Sequence, residues 1–422
     1  MEFGPIVRAM LRNKVRFGLI VAEIALTLAV VTNCVALILH ARGEMSRPSG
    51  FDDEALVRVD ARQLDTSYRD EGRLDEARRR DVEALRATPG VRSVMNTNFL
   101  PWTGGGSSTE VKPLGAPTML RTQVYATDAS VSATLGVALE AGREFTAADA
   151  ERDAERLRAL NATRRERDAA GKVGAADRYL QDVVVSRALA ELAFGPGPHL
   201  GQLLEDSDGD HYQIVGVIDR FYNPYGWPIH EYVMFYANHV RSYEGGAAFL
   251  VRAEPGRAAA VARAIEERLR RPGEAREIQV RLITDVRDKF FGPQRLVSML
   301  MGSVVVLLLA VTAFGVGGLT SFSVTERTRQ IGTRRALGAT TGAVLRYFLL
   351  ENWLLTTAGL ALGGALAVGL NVLLVSTVAG AKLHAGVVAL GMAALWAAGL
   401  GAALLPARRA ARTSPAVATR NV

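Results

Sequence analysis

Cysteine is almost missing from this chain: Cys34 is the only one in 422 residues. No intrachain disulfide can form, so any folded domain must be held by its own core. A nucleotide-binding loop is missing too. The one Gly-Lys pair, Gly171-Lys172, is followed by Val173 rather than by Ser or Thr, and without the hydroxyl that holds magnesium the chain is not expected to hydrolyse ATP itself. Metal-ligand spacing is equally poor. His230-Glu231-Tyr232-Val233 begins like a zinc-protease helix, but Met234 stands where the second His is needed to complete one metal-facing side. Asp206-Ser207-Asp208-Gly209-Asp210 lacks the glycine spacing and final Glu of a calcium loop and reads as a β-turn. No metal site is expected.

Charge is scarce in four windows. Residues 17–39 hold one acid, 296–323 none, 347–376 one and 385–406 none. Each is long enough for the roughly 20 helical residues that cross a bilayer. The rest of the chain is ordinary in polarity: 49% of all residues are hydrophobic and 22% charged, a balance of membrane and aqueous parts. The fold class expected is therefore a membrane protein of four transmembrane α-helices, with a large α+β extracytoplasmic domain at 40–295 between the first and second. A short connection at 377–384 joins the last two spans.

The formal net charge is +7, which could suggest nucleic acid. Its distribution argues for a membrane. Residues 1–16, 325–346 and 407–422 together carry thirteen bases and two acids, whereas the remainder is slightly acidic. By the positive-inside rule these flanks are cytoplasmic, which puts both termini and the 324–346 loop inside and the 40–295 domain outside. No nucleic-acid partner is expected. The first apolar run is longer than a signal-peptide core and no small-x-small cleavage site follows Leu39, so it is read as retained.

Within the outer domain, helices are expected at Asp75–Ala87, Ser130–Leu135, Ser186–Phe194 and Gly256–Leu269, and strands at Val91–Asn96, Thr122–Ala126, Val183–Val185, Tyr212–Ile218, Phe249–Arg252 and Ile278–Leu282. Leu100–Pro117, rich in Gly, Ser and Pro, reads as a loop. Residues 146–181, dense in Arg, Asp and Glu, read as a solvated helical arm. Asp285–Arg295 is expected to run into the second span as a stalk.

Three features invite a function. Phe221–Tyr236 is crowded with aromatic residues, among them Tyr222, Tyr225 and Trp227, which either grip a partner or substrate or fill a small satellite core. Glu23 and Glu351 lie inside the first and third spans, where a charge is costly. Each is either functional or neutralised by snorkelling or by Arg16 or Arg346. Gly359-x-x-x-Gly363, with Gly364 and Gly369, and Ala394, Ala398 and Ala402 give the last two spans small-residue stripes, suited to packing within the chain or to dimerisation.

The richest run is Glu326-Arg327-Thr328-Arg329-Gln330-Ile331-Gly332-Thr333-Arg334-Arg335-Ala336-Leu337-Gly338-Ala339, a basic amphipathic helix closed by Gly338. By composition alone it would contact anionic lipid. This run resembles the loop of the MacB/FtsX permease family of ATP-binding-cassette (ABC) systems. Pro406-Ala407-Arg408-Arg409-Ala410-Ala411-Arg412 is similar to that family's ending, and Gly136–Asp149, Val184–Gly195 and Tyr212–Asp219 are similar to its outer domain. The resemblance implies a permease in the bacterial inner membrane, present in two copies as a homodimer or a paralogous pair. It also implies a separate ABC ATPase that binds ATP and magnesium, since only sixteen residues precede Phe17 and members with a fused ATPase carry it ahead of the first span. On the same ground Arg327, Arg329, Ile331, Arg334, Arg335, Leu337 and Gly338 are expected to couple to the ATPase, the arginines through charge and Ile331 and Leu337 as apolar anchors. The implied mechanism is mechanotransmission to the outer domain, for export or extraction of a peptide, drug or lipid-linked molecule. Regulation of a cell-envelope enzyme, as in FtsX-like relatives, is the alternative. A periplasmic adaptor or envelope protein is a further partner class.

Overall fold

The computed structural model describes residues 14–64, 71–99, 101–103, 107–146, 148–156, 158–159, 180–222, 231–238, 246–270, 275–377 and 383–411. The chain forms two compact units, one of Arg47–Gly292 and one of Met1–Ser46 with Pro293–Val422. Helix α1 (Lys14–Ser46) opens the second of these units, at about 50 Å of helix for its length.

The inserted unit begins with β1 (Leu56–Gln63), α2 (Glu71–Arg86), β2 (Val91–Asn96), β3 (Ser107–Pro113), β4 (Leu120–Thr127), α3 (Val131–Leu135) and β5 (Leu139–Gly142). It continues with β6 (Leu180–Ser186), α4 (Arg187–Phe194), β7 (Leu203–Asp206), β8 (His211–Ile218), β9 (Val233–Ala237), β10 (Gly246–Ala253), α5 (Ala258–Leu269), β11 (Arg276–Leu282) and α6 (Ile283–Phe290). Two sheets result. One is antiparallel, in the order β11-β1-β10-β2, with Val57, Val59, Phe249 and Val251 packed on Leu85 of α2 and Val261, Ile265 and Leu269 of α5. The other is mixed, in the order β5-β8-β6-β9-β4-β3-β7, and β7 pairs back onto β8, so the sheet closes on itself around Val111, Val183, Val185, Leu204 and Ile214. A buried ion pair, Arg78 to Asp128 at 3.3 Å, ties α2 of the first layer to the end of β4 in the second.

Ser186 shows how tightly the second sheet is pinned. Its hydroxyl donates to the Glu231 carbonyl at 2.6 Å and accepts from the Leu189 amide at 3.3 Å, capping α4, and from Val233 at 3.2 Å. Ser186→Ala should therefore cost about 1–2 kcal/mol, read as a lowered unfolding midpoint of the full-length protein.

Two expectations for this unit need correction. Leu100–Pro117 is not all loop: Ser107–Pro113 is β3, whose polar sequence offers no strand signal but which is held by backbone pairing to β4 and β7. The charged arm is not fully solvated either. Within helical residues 148–156, Ala150 and Ala154 are buried together with Asp149 and Asp153, and Arg158 reaches Asp75 of α2 at 3.5 Å. Burial alone would raise the Asp149 carboxyl. Bonds from the Thr146 amide and hydroxyl, and the charges of Arg143 and Arg152, outweigh that and hold it below the ordinary carboxylate range. A lowered folded value means that its stabilisation is present above the unfolded value of about 4 and is lost as pH falls further. Amide exchange over 148–156 should be slower in the wild type than in Asp149→Asn at pH 6, with the difference shrinking as pH falls below about 4.

The other unit continues with α7 (Gly292–Glu326), α8 (Thr328–Ala336), α9 (Thr341–Thr377) and α10 (Ala385–Ala411). Four of its helices, α1, α7, α9 and α10, are long and apolar enough to cross a membrane. Their shared core holds Phe17, Ile20, Ile24, Leu28, Val316, Leu355, Leu360 and Leu395. Gly359 and Gly363 of α9 lie against α1, whereas Gly364 and Gly369 face open space: a Cβ on Gly359 would stand 2.8 Å from Ile24, and one on Gly363 2.8 Å from the Ala25 carbonyl. Close approach also satisfies polar groups. The Asn33 amide donates to the Ala367 carbonyl of α9 at 3.1 Å, and Asn352 donates to Gly399 of α10 at 3.3 Å.

Candidate functional site

The loop between the second and third spans is built as one assembly with the helix ends it joins. Glu326 ends α7, Arg327 makes the turn and α8 follows. Gly338, at φ +97°, lets the chain reverse into α9, a conformation costly for residues with a Cβ. Ile331 is 6% exposed, packed with Val344 and Phe348 of α9 and Ala407 and Ala411 of α10. Leu337, by contrast, is 84% exposed, and Arg329 is exposed as well. An open cavity of about 440 Å³ lies between the loop and α9, with Arg327, Ile331, Leu337, Tyr347 and Phe348 among its walls.

Charge fixes the same assembly. Arg327 Nη1 donates to Glu351 Oε2 at 3.1 Å, the two side chains being 17% and 6% exposed. Arg16 at the start of α1 donates to Glu326 at 3.0 Å, to Ser323 Oγ at 2.8 Å and to the Leu319 carbonyl at 3.0 Å, while its guanidinium covers the Phe322 ring. All four membrane helices are thus fastened at the end nearest α8, three of them through charged side chains.

These placements revise several expectations. Arg327 and Ile331 face inward, onto Glu351 and an apolar cluster, because a membrane-embedded carboxylate and a β-branched side chain beside α9 both have partners within the chain. They position α8 rather than project from it. Glu351 pairs with Arg327, not with Arg16 or Arg346, and Glu23 pairs with neither. Arg329, Leu337 and Gly338 lie where an outside partner could meet them, and the side chains of Arg334 and Arg335 lie outside the described residues. In the outer unit Tyr222 is fully buried, with the Arg47 guanidinium 4.4 Å over its ring, so it fills a core instead of gripping a partner. Tyr225 and Trp227 lie outside the described residues. Among the described residues no cluster of His, Cys, Asp and Glu could hold a metal ion, and Asp206 closes its turn by accepting from the amides of Asp208 and Asp210.

One network was not foreseen. Asp53 is buried and accepts from Trp102 Nε1 at 2.9 Å and from Arg287 Nη1 of α6 at 2.7 Å. Burial pushes its carboxyl above the usual range, although both donors and the Arg287 charge oppose this. Arg287 also lies 4.8 Å over the Trp102 ring, and Trp102 packs on Phe51, Phe290 and Phe291. Trp102 is the non-glycine residue with positive φ among those described, at +60°. Nothing in Pro101-Trp102-Thr103 signals such a backbone, which only the surrounding contacts enforce.

With this geometry in view, two matches decide the family. Residues 17–268, more than half the chain, match the MacB-like periplasmic core domain, and residues 302–415 match the FtsX-like permease C-terminal domain. The chain belongs to the MacB/FtsX-type ABC permease family. It is 34% identical over 142 residues to a macrolide export ATP-binding/permease protein MacB of Azoarcus sp. (strain BH72), a stretch covering 34% of this chain and 22% of that protein. Over 127 residues it is 37% identical to the uncharacterized ABC transporter permease YknZ of Bacillus subtilis (strain 168), covering 30% of this chain and 32% of YknZ. The chain therefore aligns with about a third or less of either relative's length. Among solved structures, the periplasmic region of MacB from Actinobacillus actinomycetemcomitans aligns with 58% of this chain and 97% of that one, at 10% identity and a TM-score of 0.33. In family terms the chain is permease-like, with four apolar helices and an α+β domain inserted after the first.

Proposed function

We propose that this chain is the membrane subunit of a MacB-type ABC exporter, and that α8 is the element through which a separate ATPase drives it. The supporting observation is the two-sidedness of the loop. Ile331 and the Arg327–Glu351 pair lock α8 to the third span, while Arg329 and Leu337 remain exposed. Such a helix moves with the spans when something pushes its free face. ATP and magnesium belong to the partner in this reading. In this reading the protein lies in the bacterial inner membrane with both termini cytoplasmic, which its basic flanks support. Two copies work together, and motion delivered to the outer domain exports or extracts a substrate of the peptide, drug or lipid-linked kind.

The test is reversal of charge on the helix. Arg334→Glu combined with Arg335→Glu should abolish copurification of an ATPase subunit and any stimulated ATP hydrolysis, with the permease still inserted. Wild-type copurification and hydrolysis in that double variant would refute docking through α8.

A further inference from the structure

The ion pairs around α8 leave one buried atom unanswered. Arg327 donates to Oε2 of Glu351, while Oε1, on a side chain 6% exposed, accepts no hydrogen bond from the described residues. A carboxylate oxygen kept from water in this way is costly and calls for a donor. Space for one lies beside it. A cavity of about 20 Å³ stands among the first three spans, with Phe17 of α1, Thr320 and Ser323 of α7, and Glu351, Asn352 and Leu355 of α9 in its walls.

Size and charge narrow the occupant. One water needs about 10–15 Å³ of such space and two to four polar partners, so this cavity admits a water and no organic molecule. Partners are present on both sides. The Ser323 hydroxyl accepts from Arg16 at 2.8 Å, and its own hydrogen is taken by no described residue. Thr320 donates to the Val316 carbonyl at 2.7 Å and keeps a lone pair with which to accept. Asn352 uses its Nδ2 on Gly399 and has its carbonyl oxygen to offer. A cation fits the charges poorly: Glu351 is already matched by Arg327, with Arg16 adding a more distant charge, and both guanidiniums would oppose it.

We propose that this cavity binds a single water molecule, which donates to Glu351 Oε1, accepts from Ser323 and so ties the third span to the second. The tie matters because α7 buries little of itself, its buried residues being Thr312, Val316 and Ser323. Through the water, the contact of Arg16 with Ser323 and the Arg327–Glu351 pair become one continuous network across three spans. The site rests on helix packing alone and stands whether or not α8 meets an ATPase.

Electron cryomicroscopy of the full chain in nanodiscs tests this, at a resolution that shows ordered water elsewhere in the protein. The wild type should show one isolated peak about 2.6–3.2 Å from Glu351 Oε1 and within the same range of Ser323 Oγ or Thr320 Oγ1. In Thr320→Ile, whose added methyl takes the space, the peak should be lost. The Glu351 carboxylate, read as the infrared band that Glu351→Gln removes, should then shift in frequency because a donor has gone. A wild-type map with ordered waters elsewhere and none here overturns the proposal, as does an identical carboxylate band in the wild type and Thr320→Ile. So does a peak ringed by several oxygens at less than about 2.6 Å, the spacing of a bound metal cation.

Discussion

Arg327→Ala should destabilise the membrane unit by about 3–5 kcal/mol, the cost of leaving one member of a buried ion pair alone. Glu351 would keep its place on α9 with only the more distant charge of Arg16 left to balance it, and its second oxygen already lacks a hydrogen-bond partner among the described residues. The pair itself carries little net stability, because two charges must be withdrawn from water to form it. Arg327→Met combined with Glu351→Met, which removes both charges, is therefore expected to recover most of the loss. Unfolding in mixed detergent micelles, followed by helical signal, would measure all three proteins. A double variant no more stable than Arg327→Ala would mean that the guanidinium acts by packing, not by charge. The same experiment separates support from contact: if Arg327 positions α8, the double variant should regain ATPase binding along with its fold.

The second large effect is expected at Trp102. Trp102→Ala should cost the outer domain about 3–5 kcal/mol, since it opens a cavity among Phe51, Phe290 and Phe291 and takes one donor from the buried Asp53. Backbone geometry supplies a control. At φ +60° any side chain with a Cβ is strained by roughly 1–2 kcal/mol, so Trp102→Gly should be no worse than Trp102→Ala although it buries less. Amide exchange of β1 and β10 in the full-length protein reports both. The position matters because Arg287, the third member of the network, belongs to α6. Only Phe291 separates α6 from α7, so the clamp grips the last outer helix directly ahead of the second span.

The membrane helices were legible in the sequence because lipid imposes a coarse rule: a long run without charge. Strands with apolar runs, such as Val183–Val185 and the end of Tyr212–Ile218, were legible for the same kind of reason, since their buried positions carry apolar side chains. β3 was not, because Ser107-Ser108-Thr109-Glu110 carries no such imprint and its state is decided by partners distant in sequence. The loop shows the limit most clearly. Its composition announced a basic amphipathic helix, yet which arginines are free depends on Glu351, and which apolar residue is free depends on Val344, Phe348 and Ala407. Arg327 and Arg329 look alike in the sequence and differ entirely in the fold. Trp102 and Asp53 gave no signal at all, their importance being a matter of three segments meeting.

The claim that α8 meets an ATPase through its free face can be tested by placing p-benzoylphenylalanine at single positions of the permease reconstituted with its ATPase. Irradiation should yield a permease–ATPase adduct from Leu337, which is 84% exposed, and none from Ile331, which is 6% exposed within the chain. An adduct from Ile331 with none from Leu337 would contradict the account, because the face turned to the ATPase would then be the one assigned here to the third span.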